Sequence, residues 1–407
     1  MKEEYLHYLW KMKRIPFHQM HLQDGRLFRV ISSGIHNENN DGPDFYDARI
    51  EIDGLIWVGP VELHVKSSDW YLHKHQFDTA YDNVILHVVY EDNQSVYQND
   101  RLIPSLELKS IIDPNHVSNY FKLKNGLKNV LTCSSHLHSI NEIYISSTID
   151  RALVSRMERK LADIIQMGLI EPSEVLYRLI AKAFGSKVNQ LPFEELTIRL
   201  PYSLLRQLNK RKRKLAIEYA SGLFHPNRIS EFLNEERNLR DIASLNIGSV
   251  NNKSWKFAGV RPTGFPTIRI QQFAEFINYF NVDEISPEIS PIELLVLIEN
   301  AIAKVNNQLT GHLKISKALG ELIIINAFVP FLIWLAKSKD RMDITQSGVE
   351  LLRLLSPESN AIISSWKRYG IIPKNAQESQ GLIELYNEHC LKKKCLSCGV
   401  GNKILNR

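Results

Sequence analysis

The chain has 407 residues, of which 44% are hydrophobic and 23% charged, and its formal net charge is +5 at pH 7. This length and composition indicate a globular protein of two or three domains, and the mild positive charge permits a nucleic-acid partner without requiring one. No signal sequence or membrane span is predicted, because the N-terminus lacks an apolar segment and the longest apolar run, residues 322–336, is too short, so the expected compartment is the cytoplasm.

The first part of the chain predicts a small sheet with few helices. Its elements, in chain order, are a helix over 3–13, strands over 27–31, 48–52, 55–58 and 61–66, a short helix over 73–82, a buried strand over 84–90 and an edge strand over 102–108. Asp53-Gly54, between two β-rich runs, is a strong hairpin signal. Together these elements predict a compact module over residues 1–112.

Beyond a connector over residues 113–140, helical periodicity dominates and no fixed-period repeat is present. Helices are predicted over 143–167, 174–184, 193–196, 202–224, 228–239, 268–279, 292–305, 319–336, 345–354 and 381–389. The predicted fold class is therefore α+β, with a helical region over 141–389 and a cysteine-rich tail over 390–407.

A row of polar residues on one predicted strand is the strongest chemical signal. Alternate residues of a strand share a face, so Glu62, His64 and Lys66 line up on one side. Asp44 stands at the mouth of the preceding hairpin, where its carboxylate can converge with that of Glu62. Two such carboxylates bind a hard cation such as Mg²⁺, and a nearby lysine can orient a water or neutralise charge on phosphorus. An Asx-turn is the alternative role for Asp44.

Gly42-Pro43-Asp44-Phe45, a hairpin, and then Glu62 with a nearby lysine resemble the motif of the PD-(D/E)xK nuclease-like superfamily. The resemblance covers about the first 110 residues and implies a restriction-endonuclease-like αβββαβ core. His64 stands where that motif has its lysine, so either Lys66 or His64 takes the role, or the site is no longer hydrolytic.

Histidines after this strand offer a second ligand set. His73, His75 and Asp78 follow Glu62 in an order that is similar to very-short-patch-repair-type endonucleases, which implies an accessory catalytic role for the three. Together with His64 and His87 they can instead form a transition-metal site, since imidazole suits Zn, Mn or Fe. For His87, a buried, hydrogen-bonded histidine explains the sequence as well as a role in this site does, and a general base near a metal-bound water is the third option.

The chain as a whole is similar to an uncharacterised bacterial family of domains of unknown function. The phrases that carry this likeness are Gly42-Pro43-Asp44-Phe45, Val61-Glu62-Leu63-His64, Ser68-Asp69-Trp70, the run 83–89, Arg261-Pro262 with Phe265-Pro266, and the final three cysteines.

Three of the four cysteines crowd the C-terminus in the pattern Cys390-x4-Cys395-x2-Cys398. Three thiolates need a fourth ligand to close a tetrahedral zinc site, and Cys133 is the only other cysteine, with His136, His138 and His389 as alternatives. One distant cysteine beside such a trio also fits an iron–sulfur pattern. Some nucleases of the superfamily named above hold a [4Fe–4S] cluster in this way. The tail is therefore predicted to bind Zn²⁺ or [4Fe–4S], unless its thiols are free.

A basic run lies on a predicted helix of the second region. Its cations, with one upstream, are Arg206, Lys210, Arg211, Lys212, Arg213 and Lys214. Such a helix is a candidate contact with a phosphate backbone, or a solvated helix face.

The leading hypothesis is a metal-dependent nuclease in which Asp44 and Glu62 hold Mg²⁺ and Lys66 or His64 assists a water nucleophile, with DNA or RNA as substrate. A nucleic-acid- or partner-binding protein that has lost the chemistry is one alternative, which the displaced lysine favours. The other is a His/carboxylate metallohydrolase of a small molecule.

Overall fold

The computed structural model describes residues 1–15, 20–37, 41–125, 131–223 and 247–406. The chain forms two compact units, one of residues 1–145 with 389–407 and one of residues 146–388. The first unit contains a mixed sheet and the second is helical, so the predicted α+β class is confirmed. The helix predicted over residues 228–239 lies outside the described residues.

The first unit begins with a helix and is built around one sheet. Its helices are α1 (Glu3–Lys11), α2 (Asp69–Leu72) and α3 (Pro114–Asn125), and its strands are β1 (Met20–His21), β2 (Leu27–Ser32), β3 (Ile35–His36), β4 (Phe45–Ile52), β5 (Leu55–Lys66), β6 (Leu86–Glu91), β7 (Tyr97–Gln98), β8 (Arg101–Leu102) and β9 (Ser105–Glu107). The strand order is β1-β2-β4-β5-β6-β9, with β3 also on β4, while β7 and β8 form a separate pair.

The sheet is antiparallel from β1 to β5 and parallel from β5 through β6 to β9. The predicted hairpin joins β4 to β5, where Asp53 and Gly54 have φ values of 48° and 82°. Positive φ at both central residues matches the right-handed twist of the flanking strands. Helices α1 and α2 both pack against β5, which brings their side chains toward the polar face of that strand.

Two predicted boundaries in this unit are wrong. Residues 55–58 and 61–66 form one continuous strand, since Gly59 and Pro60 remain in the ladder between β4 and β6. The helix predicted over 73–82 is replaced by two 3₁₀ turns, His75–Phe77 and Thr79–Tyr81. The backbone breaks at Lys74, which is left-handed, and again at Asp78, which is extended, so helical periodicity cannot continue through this stretch.

The second unit is a helical bundle around a large apolar core. Its helices, with the start of α4 lying in the first unit, are α4 (Glu142–Gln166), α5 (Pro172–Gly185), α6 (Gln190–Arg199), α7 (Tyr202–Leu205), α8 (Lys210–Ser221), α9 (Pro266–Tyr279), α10 (Pro291–Gln308), α11 (Lys317–Ile323), α12 (Val329–Lys339), α13 (Met342–Leu354), α14 (Ala361–Arg368) and α15 (Ala376–Leu385). The helix predicted over 202–224 is interrupted, because the Asn209 side chain caps the start of α8 by accepting the Lys212 N–H.

One helical stretch, Gly311–Lys339, is long and apolar enough by composition to cross a membrane, but 78% of its most apolar window is buried inside the protein. A π-helical turn, Ile324–Phe328, joins α11 to α12 within it. Burial of this kind is what the core helix of a folded bundle shows, which agrees with the prediction made for residues 322–336.

The chain end belongs to the first unit. The final helix α16 (Gly399–Leu405) packs against α3, and Asn406 Nδ2 lies 3.5 Å from the Tyr8 hydroxyl of α1. Tyr5 of α1 stacks on Tyr120 of α3 with ring centroids 4.2 Å apart, and its hydroxyl lies 2.6 Å from His116 Nδ1. Helices α1, α3 and α16 therefore form one packed group.

Candidate metal centre on strand β5

Strand β5 carries two buried polar side chains on one face. Glu62 is 5% exposed and His64 is 1% exposed, although both residue types are normally found at the surface. Glu62 is the register partner of His87 on the neighbouring parallel strand β6, so all three side chains share a face. Burial of this much polar surface is unfavourable unless the groups bind each other or a ligand.

The carboxylates of Asp44 and Glu62 converge as the sequence predicts. The Asp44 N–H donates to Glu62 Oε2 at 2.9 Å, and the Leu63 N–H donates to Asp44 Oδ2 at 2.9 Å. Gly42 is required for this arrangement, because it has φ +103° and a Cβ there would lie 2.4 Å from the Tyr46 hydroxyl. The Gly-Pro-Asp sequence thus fixes the carboxylate of Asp44 against the start of the Glu62 segment.

Three histidines gather beside Glu62. The ligand nitrogens of His64, His73 and His75 all lie within 4.8 Å of one another. His64 Nε2 is 3.0 Å from His73 Nδ1 and 3.6 Å from Glu62 Oε1, and His75 Nε2 is 3.4 Å from the same carboxylate oxygen. Ligands about 2.0–2.1 Å from a tetrahedral zinc ion lie about 3.4 Å apart. The observed separations therefore match the edges of a coordination polyhedron.

His75 contributes a buried nitrogen whose polar contact with Glu62 Oε1, at 3.4 Å, does not have hydrogen-bond geometry. Its Nε2 is buried and makes no hydrogen bond within the described part of the chain, and its ring is held by stacking on Tyr81 with centroids 3.9 Å apart. An unpaired buried nitrogen costs about 1–3 kcal/mol. A metal ion bound by this nitrogen would remove that cost, so the residues present fit a metal.

Lys74 directs the two neighbouring histidines to the same point. It has φ +64°, the left-handed conformation, between His73 and His75. A non-glycine residue is strained there by about 1–2 kcal/mol, and such strain is concentrated at functional sites. The reversal of the chain at Lys74 allows both imidazoles to approach His64.

His87 stands behind His64 inside the sheet. It is fully buried, and its Nε2 lies 2.8 Å from His64 Nδ1. When His64 Nδ1–H donates this bond, the lone pair of Nε2 is directed toward His73 and Glu62, as in metal-binding histidines whose second nitrogen is fixed by another group. His87 is thus a buried histidine hydrogen-bonded to His64, which is one of the alternatives that the sequence left open.

Burial keeps these imidazoles neutral. Desolvation, together with the neighbouring imidazoles, lowers the pKa of His64 to about 2 and that of His75 to about 4, and desolvation lowers the pKa of His87 to about 3. Burial and then the charge of Asp44 raise the pKa of Glu62 well above its ordinary value. Neutral imidazoles are the form that binds metal, and a bound cation would favour the ionised form of Glu62.

Helix α1 adds two residues that the sequence analysis missed. His7 Nε2 lies 3.0 Å from Asp44 Oδ2. The pKa of Glu3 is raised by burial, lowered by His73 and His7, and raised by Asp44, so Glu3 faces the same cluster. Glu3 and His7 are four residues apart on one helix face. That spacing on one helix was the available signal.

Lys66 and Asp78, which the sequence also assigned to the site, make local contacts instead. Lys66 is exposed at the end of β5, and its N–H donates to Asp69, while the position two residues after Glu62 is occupied by buried His64. The carboxylate of exposed Asp78 accepts the Ala80 N–H and caps a 3₁₀ turn. The structure thus brings together Asp44, Glu62, His64, His73 and His75, and leaves Lys66 and Asp78 outside the hydrogen bonds and ion pairs of that cluster.

Residues 3–361 match the family described as "Protein of unknown function (DUF2851)". The chain belongs to this family. The match includes every residue of the cluster on β5 and ends before the C-terminal cysteines. No curated protein and no solved structure matches the DUF2851 chain.

Most cations of the basic run of the DUF2851 protein make contacts within the helical unit. Lys214 Nζ lies 2.6 Å from Glu275 Oε1, and Lys210 Nζ lies 4.3 Å from the centroid of the Tyr279 ring. The guanidinium of Arg213 donates to two backbone carbonyls of the preceding turn. These contacts give three of the five cations a structural role, and contact of the run with nucleic acid stays a prediction.

The four cysteines of the DUF2851 protein come together in the first unit. Cys395 Sγ lies 3.5 Å from the hydroxyl of Thr132, the neighbour of Cys133. Burial raises the pKa of the Cys390 thiol, and the thiolates of Cys133, Cys398 and Cys395 raise it further. All four are half-buried and none is in a disulfide. The predicted partnership of Cys133 with the C-terminal trio is thus consistent with their positions.

Proposed function

We propose that this protein is a metal-dependent hydrolase of nucleic-acid phosphodiester bonds, whose ion is held by Glu62, His64, His73 and His75. The observation that carries the proposal is the set of separations of 3.0–3.6 Å among these four side chains, at ligand spacing around a buried carboxylate. An imidazole-rich set with one carboxylate favours Mn²⁺, Fe²⁺ or Zn²⁺ over Mg²⁺. This changes the ion expected from the carboxylates alone.

A bound ion in such a site supplies an activated water and polarises a phosphoryl oxygen. Residues of the chain would orient the ligands and transfer the proton. His87 orients His64, and Asp44 accepts the backbone N–H of Leu63 while facing His7. The contact between His7 and Asp44 places a titratable nitrogen beside the carboxylates, where it can take a proton from a nucleophile. His73 is exposed, so the site opens to solvent on that side.

The arrangement of the elements supports phosphodiester hydrolysis in particular. The longer elements, helix α1, strands β2, β4 and β5, helix α2 and strand β6, support an αβββαβ interpretation when the two-residue strands β1 and β3 between them are set aside. Asp44 precedes β4 and Glu62 lies on β5, as the resemblance to PD-(D/E)xK nucleases implies. In place of the lysine of that motif, His64 supplies a metal ligand.

Metal binding and cleavage are measured on the same samples. Wild-type protein, stripped of metal and reloaded with Mn²⁺, Fe²⁺, Zn²⁺ or Mg²⁺, is incubated with end-labelled single-stranded DNA, duplex DNA and single-stranded RNA. We expect cleavage with a transition metal, and a loss of at least about 100-fold in His64→Ala and Glu62→Gln, which remove ligands. Glu51→Gln on β4 is the matched control, because Glu51 pairs with Arg29 away from the cluster.

The outcomes separate binding from chemistry. One outcome is that wild type binds metal, His64→Ala loses it, and no nucleic acid is cut. This outcome would support the metal site and contradict the nuclease activity. A small-molecule hydrolase would then be the hypothesis to test, with phosphomonoesters and phosphodiesters of nitrophenol as substrates. Equal metal content in wild type, His64→Ala and His75→Ala would overturn the site itself.

The basic run provides the phosphate contact in this proposal. Arg211 and Lys212 lie on the first turn of α8, and Arg206 is exposed just before it. Replacing Arg211 and Lys212 by alanine is expected to weaken binding of every sequence alike. Removal of a single phosphate contact reduces the slope of log affinity against log salt by about 1. An unchanged slope would exclude this surface as the contact.

A further inference from the structure

We infer that Cys133, Cys390, Cys395 and Cys398 form a second metal centre, a four-thiolate site that fastens the C-terminal tail to the first unit. The ligand chemistry is that of a soft, thiolate-bound centre, either zinc or an iron–sulfur cluster. The inference is independent of the cluster on β5 and of the proposed hydrolase activity.

The convergence of these four residues is the first argument. The chain has four cysteines in 407 residues, and Cys390 and Cys133 each interact electrostatically with Cys395 and Cys398. The hydroxyl of Thr132, next to Cys133, lies 3.5 Å from Cys395 Sγ, although Thr132 and Cys395 are 263 positions apart. Free thiols scattered in a chain of this length have no reason to meet. None is in a disulfide, so their proximity is not explained by covalent bonding.

The backbone around the trio is shaped to present the thiols. Lys393 has φ +52°, and the chain turns back there with the Lys393 N–H donating to the Cys390 carbonyl. A second close approach follows at Gly401, where a Cβ would lie 2.1 Å from the Cys395 carbonyl oxygen. Only glycine permits helix α16 to lie this close to the loop. The loop that carries Cys395 therefore packs closely against helix α16.

The charge of the intervening loop suits thiolate ligands. A coordinating thiol is deprotonated by its metal ion, so a four-thiolate centre carries negative charge. The lysines at 392–394 in the intervening loop offset the negative charge of the centre.

The centre has a structural consequence for the first unit. Helix α16, which follows the trio, packs on α3, and Asn406 contacts Tyr8 of α1. Helix α1 also carries His7, which lies beside Asp44. Metal binding at the cysteines thus holds in place the helices that support α1, since a structural metal site contributes its binding energy to folding.

The experiment measures metal in protein purified without oxygen. Zinc, iron and acid-labile sulfide are quantified, and the visible spectrum is recorded. We expect either one zinc ion per chain without colour, or the iron, sulfide and broad visible absorption of one [4Fe–4S] cluster. Cys133→Ser and Cys395→Ser are each expected to lose this metal. Ser397→Ala, between two of the cysteines, and His64→Ala, in the other cluster, are expected to keep it.

Wild-type protein provides a test that does not depend on how variants fold. When the thiols are blocked stepwise with a mercurial reagent, the metal released is expected to rise with the number of thiols blocked. A protease added afterwards is expected to remove the C-terminal tail. If protein purified without oxygen contains no metal and all four of its thiols react freely, the inference is overturned. Full metal content in folded Cys133→Ser, which would leave only the trio as ligands, would also overturn it.

Discussion

His64 Nδ1 lies 2.8 Å from His87 Nε2, in a part of the sheet where neither imidazole is more than 1% exposed. The contact requires a proton on one of these two nitrogens. With Nδ1–H donating to His87, the Nε2 lone pair is available beside Glu62 Oε1, at 3.6 Å. In the proposed site, a residue outside the ligand set would thereby orient one of the ligands.

Replacing His87 is therefore expected to weaken metal binding without removing a ligand. His87→Leu should lower metal affinity by about 10–100-fold, the range found for partners of metal-binding histidines. His87→Gln, whose amide oxygen can still accept from His64 Nδ1–H, should retain more of the affinity. Titration of stripped protein with Mn²⁺ or Zn²⁺ measures both. Equal affinities for the leucine and glutamine variants would show that the hydrogen bond is irrelevant and that only packing matters.

Glu62 is expected to destabilise the protein when no metal is bound. Burial, and then the nearby charge of Asp44, raise the pKa of its carboxyl, which means that the ionised form is held in an unfavourable place. Glu62→Gln should raise the melting temperature of the metal-free protein and abolish the further rise that metal produces in wild type. Thermal unfolding with and without metal measures both, and Glu51→Gln is the control. A lower melting temperature for metal-free Glu62→Gln would contradict this account.

Much of this site follows from local rules. Asp53-Gly54 determines the hairpin, and strand alternation places Glu62 and His64 on one face, as the structure shows. The convergence of Asp44 with Glu62 also follows from sequence, because the hairpin brings the start of β4 to the end segment of β5. The histidine set was available from the sequence only as one alternative, since its choice over the carboxylate pair depends on where a loop returns.

His73 and His75 illustrate the difficulty. Residues 73–82 have a helical pattern, but Lys74 adopts a left-handed conformation that local propensity disfavours, and tertiary contacts of Trp70 and Tyr81 with His75 hold it. Helix α1 shows a second limit. Its apolar face was evident, but only the packing of α1 on β5 reveals that Glu3 and His7 reach the cluster.

His7 provides a test of the helix contribution. His7→Ala removes the nitrogen that lies 3.0 Å from Asp44 Oδ2, so under the proposed activity kcat should fall by about 100-fold or more, as for loss of a general base. Metal content should stay unchanged, since His7 is not in the ligand set. His21→Ala, on the exposed edge of β1, is the control. A loss of metal in His7→Ala would instead make His7 a ligand.

The stability of metal-free protein should fall as the pH is lowered from about 6.5 to about 4. The pKa values of His64, His75 and His87 are lowered to about 2, 4 and 3, so in this window the unfolded chain binds protons that the native state does not. Glu62 acts in the opposite direction, because its raised pKa lets the native state keep a proton above the ordinary carboxyl value. Because three histidines lower the free energy of unfolding in this window and one carboxyl raises it, the net expectation is a loss of stability.

Each histidine contributes a slope of up to about 1.4 kcal/mol per pH unit. Urea unfolding at several pH values measures it, and His87→Leu should flatten the dependence by no more than that amount. A slope that is the same in wild type and His87→Leu would mean that His87 is protonated in the native state.

Lys74→Gly tests whether the left-handed residue between His73 and His75 is strained. Glycine adopts φ +64° without a Cβ penalty, so the variant should be more stable by about 1 kcal/mol and should bind metal at least as well. Lys74→Ala keeps the Cβ while removing the charge, and should show no such gain. Thermal unfolding and metal titration of the two variants decide between them. A stabilised alanine variant would locate the cost in the lysine side chain, since the backbone conformation is common to both.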